Sequence, residues 1–156
     1  PAPPEQNIMT QTLFNEYNKP SAGERKAMTD FLHAHLEEFR DSKEDIDCAM
    51  AYILREIPSP GGFILRLTED QAIVCVVMIA KTGMKGFVPE NLVVYLATHR
   101  EYRGRGIGRK MMQLAMDAAE GNLALHVEPH NPARKLYEDL GFTNKYLEMR
   151  CIRREN

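Results

Sequence analysis

The apolar residues of this chain recur with two different spacings, and these spacings predict where its helices and strands lie. A period near 3.6 residues predicts one helix from Ser21 to about Phe39 and a second that begins at Ser42. Ser21 and Glu24 form a capping-box pattern at the first start, and Ser42 is a suitable cap for the second. The proline- and glycine-rich run that follows Ile57 ends the second helix.

The later elements are mostly strands, each bounded by turn residues. Residues 63–67 and 72–81 predict a hairpin joined by the polar residues 68–71, and residues 92–98 predict a third strand. The run from Ile73 to Ile79 is almost entirely apolar, which predicts a strand covered on both faces. The remaining elements predicted are a helix that begins at Ile107 and is ended by Gly121, a strand over 123–128, and final strands at Phe142 and 146–152. Between these strands a helix is predicted with Asn131 as its N-cap and Pro132 as its first residue, and it ends at Leu140.

This order of elements predicts the α/β (α+β) class, with a mixed, mostly antiparallel central sheet flanked by helices on both faces. A chain of 156 residues is long enough to bury one substantial core. We expect a single domain over residues 21–156, preceded by an extended or partly disordered lead-in over residues 1–20. Leu13, Phe14 and Tyr17 could attach part of that lead-in as a short edge strand.

Composition argues against membrane and metal-binding proteins. No apolar run approaches the ~20 residues that span a bilayer, and residues 1–7 lack the pattern of a signal peptide, so we expect a cytoplasmic protein without membrane contact. The three cysteines, Cys48, Cys75 and Cys151, are far apart and odd in number, which indicates reduced thiols and no metal site. The net charge is −2, but residues 1–60 carry 6 basic and 11 acidic side chains, a balance that would suit a cationic substrate.

The clearest chemistry lies between the third strand and the following helix. Three glycines at alternate positions leave backbone N–H groups uncovered where the helix begins, and a helix N-terminus attracts anions. The sequence therefore predicts a phosphate or pyrophosphate site formed by Arg103, Gly104, Arg105, Gly106, Ile107 and Gly108, with Arg109 adding charge.

Three common phosphate-binding classes do not fit this turn. The chain contains no G-x-x-x-x-G-K-[ST] string, which excludes a P-loop. The glycine spacing is G-x-G-x-G and comes late in the chain, unlike a dinucleotide fingerprint. Basic residues cluster around the turn, but no row of aromatic residues accompanies them, so we expect no nucleic-acid partner.

Two motifs resemble the signatures of the GNAT N-acetyltransferase superfamily. Arg103, Gly106 and Gly108 match the family's cofactor motif [RQ]-x-x-G-x-[GA]. A second motif, N-x-x-A-x-x-L-Y-E-x-x-G-F, is matched from its alanine onward by Ala133, Leu136, Tyr137, Glu138, Gly141 and Phe142, and its asparagine corresponds to Asn131, which lies two residues before Ala133 instead of three. One helix and one strand separate the two motifs, as in the family.

The resemblance implies acetyl-CoA as the cofactor, with its pyrophosphate on the glycine turn. It also implies that the pantetheine arm pairs with the backbone of Leu96, Ala97 and Thr98 and contacts the side chain of Asn131. Arg134, one turn further, could reach a CoA phosphate. Family resemblance assigns the general acid that protonates the departing thiolate to Tyr137, whose phenol has an unperturbed pKa near ~10 and is protonated at neutral pH.

The expected activity is transfer of an acetyl group to a primary amine of a small molecule or protein by direct attack on the thioester. The general base stays open among Glu90, Tyr95, His99, His126, Glu128 and a water relay. Alternatives are a non-catalytic acyl-CoA-binding regulatory module, a hydroxyl acceptor, or a longer acyl chain. A homodimer is compatible with the resemblance. Acidic residues on the first two helices favour a cationic acceptor: Glu37, Glu38, Asp41, Glu44, Asp45 and Asp47.

Overall fold

The computed structural model describes residues 8–154, which contain five strands and four α-helices. In chain order the elements are β1 (Met9–Phe14), α1 (Ala22–His35), α2 (Lys43–Ile53), β2 (Gly62–Glu69), β3 (Ala72–Lys81), β4 (Asn91–Thr98), α3 (Ile107–Ala118), β5 (Leu123–Leu125) and α4 (Ala133–Asp139). Short 3₁₀ turns follow α1 at Glu37–Phe39 and β4 at Arg100–Tyr102. None of the helices in the described part of the chain is long and apolar enough to cross a membrane.

The strands form one sheet in the order β1-β2-β3-β4-β5. The first four strands are antiparallel to their neighbours, and β5 runs parallel to β4. A parallel neighbour requires a crossover connection, which α3 provides between β4 and β5. The mixed, mostly antiparallel sheet predicted from the sequence is confirmed.

Helices cover both faces of this sheet. One core forms between the sheet and the helices α1 and α2, and it includes Met28, Leu32, Ile46, Met50, Ile64, Val76 and Met78, all with 0% exposure. Along β3, Val77 and Ile79 alternate with Val76 and Met78 and are also fully buried, but they belong to the opposite face. Helix α3 contacts β3 and β4 and buries Met111, Met112 and Ala115. Strand β3 is therefore covered on both faces, as its apolar run predicts.

The helix starts follow the predicted caps, but α1 ends earlier than predicted. The Ser21 side chain accepts the Glu24 N–H, and the Glu24 side chain accepts the Ser21 N–H, so the capping box is complete. The Ser42 hydroxyl accepts the N–H of Asp45 in the same way. Helix α1 stops at His35 instead of Phe39, because Glu37 has a left-handed backbone with φ 55°. A non-glycine residue in that conformation cannot continue a right-handed helix.

The strands extend slightly beyond their predicted limits. Strands β2 and β3 pair as far as Glu69 and Ala72, which leaves only Asp70 and Gln71 as the hairpin loop. Both loop residues have positive φ, 49° and 72°, the conformation that matches the twist of a two-residue hairpin. The edge strand suggested in the N-terminal segment is present as β1, while residues 1–7 lie outside the described part of the chain.

A β-bulge and a short neighbour give β4 an open edge. Met78 pairs with Tyr95 and Ile79 pairs with Val93, so Val94 is the extra residue of a bulge. On its other edge β4 pairs with β5 only over Asn91–Val93. Within residues 8–154, the second half of β4, from Val94 to Thr98, has no strand beside it on that edge.

Residues from His126 onward form a second compact unit, in which the prediction of final strands is wrong. The described part of this unit contains α4 and no strand, and β5 already ends at Leu125 instead of residue 128. Tyr146, Leu147, Met149 and Ile152 are between 77% and 89% exposed. Their alternating apolar pattern predicts a strand, but a strand also needs a neighbouring edge for its backbone hydrogen bonds.

Candidate functional site

The glycine turn forms an anion-binding geometry at the start of α3. Gly104 and Gly106 both have left-handed backbones, with φ of 77° and 76°. Gly106 is the N-cap of α3, no side chain caps this helix, and its first turn contains no acid. The N-terminal N–H groups of a helix without a cap remain available to an external acceptor.

The space beside these glycines is open. A Cβ atom added at Gly104 or at Gly106 would meet no protein atom within 4 Å. Steric crowding by the protein is therefore not the reason for glycine here. Two reasons remain: the left-handed backbone, which side chains rarely adopt, and free access to the N–H groups of the turn. Both reasons are typical of a turn that surrounds a phosphate group.

The guanidinium group of Arg103 is directed into the protein. Its Nε donates to the Thr98 carbonyl at 3.3 Å, its Nη2 to the His35 carbonyl at 2.6 Å, and its Nη1 to Glu37 Oε1 at 3.1 Å. All three nitrogens of the side chain thus bind the end of β4 and the end of α1. This residue, predicted as a phosphate ligand, ties two elements together in the structure.

Arg105 has a different environment from Arg103. Its guanidinium carbon lies 5.0 Å from the ring centre of Tyr102, an arrangement that stabilises a cation over an aromatic face. The Tyr102 hydroxyl in turn donates to Glu69 Oε2 at the end of β2, and this hydrogen bond raises the pKa of Tyr102. Arg105 is exposed, so its charged group lies beside the turn and in solvent.

The open edge of β4 leads directly to this turn. The His99 N–H donates to the Val74 carbonyl of β3 at 2.8 Å. Because N–H groups alternate between the two edges of a strand, the N–H of Thr98 points away from β3, as does that of Leu96. Ala97 pairs with Val76, and its N–H points towards β3. Of the three residues expected to pair with the pantetheine arm, Leu96 and Thr98 therefore direct their N–H groups to the open edge, and Ala97 does not.

Two stacked histidines connect α1 with the turn. The rings of His35 and His99 lie 4.2 Å apart between centres, and each ring accepts a backbone N–H at Nδ1. His35 accepts from Arg100 at 3.3 Å, and His99 accepts from Glu101 at 3.1 Å. Burial lowers the pKa of His35, and the nearby charges of His99, Arg100 and Arg103 lower it further. The neutral form of His35 is the one that fits this contact.

Some of the acidic residues on and beside the first two helices already accept hydrogen bonds from the protein. The Tyr95 hydroxyl donates to Asp41 Oδ2 at 2.7 Å, and burial together with Asp41 raises the pKa of Tyr95. The hydroxyl of Thr29 donates to Asp47 Oδ1 at 2.9 Å. A shallow depression at the end of α1 is lined by Ala34, Glu37, Glu38, Arg40 and Arg100.

Comparison with known proteins decides the family. The model of the Acetyltransferase (GNAT) family matches residues 25–142. The chain belongs to this family. It is therefore an acyltransferase of the acetyltransferase type, and the resemblance drawn from its two motifs is confirmed.

Several solved structures share the GNAT fold with this chain. An aminoglycoside N-acetyltransferase in complex with CoA is 13% identical, with a TM-score of 0.64 and 99% of both chains covered. A ribosomal-protein-alanine N-acetyltransferase from Brucella melitensis is 17% identical, with a TM-score of 0.61, and the match covers 95% of this chain and 100% of that one. A transcriptional regulator from Bacillus halodurans is 18% identical, with a TM-score of 0.65 and coverages of 92% and 99%. No curated protein matches the chain by sequence.

Two of the candidates for the general base of this GNAT protein hold turns in place. The carboxylate of Glu90 accepts the Asn122 N–H in the loop between α3 and β5, and this bond lowers the pKa of Glu90. His99 caps the 3₁₀ turn after β4. Glu128 lies 3.6 Å from His130, and the side chain of His126 is exposed.

The residues of the second GNAT motif lie around α4. The Asn131 Oδ1 accepts the Ala133 N–H at 2.9 Å, so it caps the helix, which begins one residue later than predicted. Arg134 pairs with Glu138 at 2.7 Å within the same helix. Tyr137 is 9% exposed, and its ring packs edge-on against Phe142 with centres 5.9 Å apart.

The contacts that His35 and Glu37 make with the turn have no local signal in the sequence. Their partners lie 65 and 66 residues away along the chain, at Arg100 and Arg103. The pairing of α1 with the turn depends on both elements meeting at one end of the sheet. Such a contact becomes visible only when the strands are placed next to each other.

Proposed function

We propose that this GNAT protein transfers the acetyl group of acetyl-CoA to a primary amine of a small molecule or protein. The observation that carries the proposal is the continuity of two open features on one strand–turn–helix unit. The unpaired edge of β4, from Val94 to Thr98, leads into a glycine turn whose helix has no side-chain cap. An elongated ligand with amides at one end and phosphates at the other fits that sequence of features.

The residues of the turn are suited to a pyrophosphate. The N–H groups around Gly104, Gly106 and Gly108 supply directed donors, and Arg105 and Arg109 add positive charge beside them. Along the open edge, the N–H groups of Leu96 and Thr98 can pair with amides, as an added strand does. The amide-containing arm and pyrophosphate of CoA offer both kinds of partner. CoA complexes of a structural neighbour support this proposal.

Acetyl-CoA supplies an activated acyl thioester when bound, and the chain supplies the groups that orient it. The N–H of Thr98 faces the open edge, where it can stabilise negative charge on a carbonyl oxygen. Tyr137 is the proposed donor of a proton to the departing thiolate, since a phenol is protonated at neutral pH. Asn131 and Arg134 are proposed as further cofactor contacts on the family motif.

A cationic acceptor fits the charge of the helix pair. The Tyr95 hydroxyl donates to Asp41. Besides burial, the charges of Asp41 and Asp45 raise the pKa of this phenol, which indicates that both carboxylates lie near it. Tyr95 lies on β4 three residues before Thr98, whose N–H is the proposed contact of the thioester carbonyl. Carboxylates so close to the reacting strand would attract an ammonium group.

The experiment is an acetyl-transfer assay with acetyl-CoA and a panel of polyamines, aminoglycosides, amino acids and peptides. Release of free thiol is followed, and the acetylated product is identified by mass. We expect turnover with at least one primary amine, and Tyr137→Phe should lower kcat while leaving the affinity for CoA unchanged. Tyr146→Phe is the matched control, because Tyr146 is 77% exposed in the same unit.

A hydroxyl acceptor and a non-catalytic CoA-binding regulatory module are the competing functions. The second has one supporting observation, the structural similarity to a protein described as a transcriptional regulator. Calorimetry with CoA separates the outcomes. Tight CoA binding without transfer to any acceptor would favour the regulatory module, and an ester product would favour the hydroxyl. Absence of CoA binding would contradict all three.

A further inference from the structure

We propose that Arg103 positions the glycine turn through contacts with the ends of β4 and α1 instead of binding the cofactor's phosphates, with Glu37 as its counter-ion. The proposal rests on the proposed function only in naming CoA as the ligand of the turn. It assigns a positioning role to Glu37, the first residue of the 3₁₀ turn that follows α1. It also separates the two arginines of the turn: both are exposed, but the guanidinium group of Arg103 donates to three protein acceptors, whereas that of Arg105 lies over the ring of Tyr102.

The guanidinium group of Arg103 donates to three acceptors at once. Arginine presents its donors in a rigid planar fork, and here the fork meets three acceptors from two different elements. Thr98, the last residue of β4, contributes one carbonyl, and His35, the last residue of α1, contributes another. Glu37 contributes the only charged acceptor of the three. To reach a phosphate, Arg103 would have to leave all three at once.

Glu37 has an unusual backbone conformation for a residue other than glycine. Its φ of 55° is left-handed, which costs a non-glycine residue free energy and is retained only where the surroundings determine it. The same carboxylate lies 3.8 Å from Arg100, so it faces two arginines beside the turn. The side chains of Arg103 and Glu37 are 44% and 46% exposed, and exposed ion pairs add little to global stability. Local geometry is therefore the property that this pair controls.

Other groups of the turn remain to donate hydrogen bonds to the phosphates. With the Arg103 fork turned inward, the donors on the open side of the turn are the N–H groups at the start of α3 and the side chain of Arg105. The carbonyl of Thr98 is held by Arg103, while the N–H of Thr98 stays on the open edge of β4. Arg103 thus fixes the junction between the strand that would bind the pantetheine arm and the turn that would bind the pyrophosphate.

Two substitutions of Arg103 test the role directly. CoA affinity is measured by calorimetry for Arg103→Lys and Arg103→Gln. Lysine keeps the charge, but its donors share one nitrogen and cannot span the three acceptors that the planar guanidinium fork reaches. A positioning role therefore predicts that both variants lose affinity to the same extent, about tenfold, from the loss of charge-assisted hydrogen bonds. A phosphate-binding role predicts instead that Arg103→Lys stays close to wild type while Arg103→Gln does not, and this outcome would overturn the proposal.

Substitution of Glu37 gives effects of opposite sign in the two cases. If Glu37 merely competes with phosphate for Arg103, Glu37→Gln strengthens CoA binding. If it positions Arg103, Glu37→Gln weakens it, and we expect that result. Glu101→Gln is the charge control, because this substitution removes the same charge. Glu101 is exposed and lies two residues before Arg103. Glu37→Gly removes the carboxylate that holds Arg103, so it should weaken CoA binding. It also relieves the left-handed backbone, so it should not lower the melting temperature.

A measurement without any ligand keeps this proposal separate from the proposed function. Amide hydrogen exchange of the free protein should become faster in residues 34–40 and 99–106 of both Glu37→Gln and Arg103→Lys. Unchanged exchange in these segments would refute the positioning role even if CoA binds well. If the wild-type protein fails to bind CoA, the proposed function fails, and the exchange experiment still decides the role of Arg103.

Discussion

A single methyl group added at Gly106 should separate the conformation of the glycine turn from its ability to bind a ligand. Gly106 has φ 76°, and an added Cβ would meet no protein atom within 4 Å. Gly106→Ala therefore causes no clash inside the protein. Its cost comes from the left-handed backbone, and its methyl group would stand in the open space beside the first turn of α3.

The loss of unfolding free energy in Gly106→Ala is the difference between two opposing contributions. A left-handed backbone costs an L-residue about 1–2 kcal/mol, and alanine recovers about 0.4–1 kcal/mol by restricting the unfolded chain. The net loss of unfolding free energy is then about 1 kcal/mol. For a protein of this length that corresponds to a fall in melting temperature of roughly 2–4 °C. Loss of one charge-assisted contact to phosphate adds at least about a tenfold loss of CoA affinity.

Gly86→Ala is the matched control for this experiment. Gly86 has φ 79° and equally open surroundings, but it lies in the loop before β4, while Gly106 follows that strand. The eight residues of β4 separate the two positions by about 25 Å. Thermal unfolding should show the same small loss for both variants, and calorimetry should show weaker CoA binding only for Gly106→Ala. Equal CoA affinities in the two variants would refute the assignment of the turn.

Three further predictions concern ionisable side chains. The lowered pKa of His35 means that its neutral form stabilises the fold above about pH 6.5 and that this contribution disappears as the pH falls, so the wild-type melting temperature should drop more than that of His35→Gln between pH 7.5 and 5.5. The lowered pKa of Glu90 means that its bond to Asn122 stabilises the fold above the ordinary glutamate pKa of 4.5 and is lost in acid, so the deficit of Glu90→Gln in thermal unfolding should shrink towards pH 3. Burial raises the pKa of the Cys75 thiol to about 11, so a chromogenic thiol reagent should titrate two cysteines in the native protein and three after denaturation.

The elements that the sequence predicted well are those whose determinants are neighbours in the chain. The capping box of Ser21 and Glu24 needs only four consecutive residues, and it is present as predicted. The apolar run of β3 predicts a strand buried on both faces, because no polar side chain interrupts it. The turn between Glu69 and Ala72 follows from polar residues that accept positive φ. Each of these features is complete within one segment of the chain.

The predictions that failed depend on partners elsewhere in the molecule. Residues 146–152 alternate like a strand, but alternation specifies only the faces of a strand and not the edge with which it pairs. The end of α1 was placed at Phe39 on its apolar side chain, whereas the left-handed Glu37 stops the helix before it. That conformation accompanies contacts to Arg100 and Arg103, which lie more than 60 residues further along the chain.

The two halves of the candidate site differ in the same way. The proposed phosphate site consists of consecutive backbone groups, which glycine spacing within one segment can indicate. The acceptor side consists of contacts between α1, α2 and β4, and these contacts revise what the acidic residues can do. Of the six acids considered, Glu37, Asp41 and Asp47 accept hydrogen bonds from Arg103, Tyr95 and Thr29. All six residues are exposed, but an acceptor ammonium would compete with an internal donor at each of these three. The attraction of a cation should therefore depend mainly on Glu38, Glu44 and Asp45.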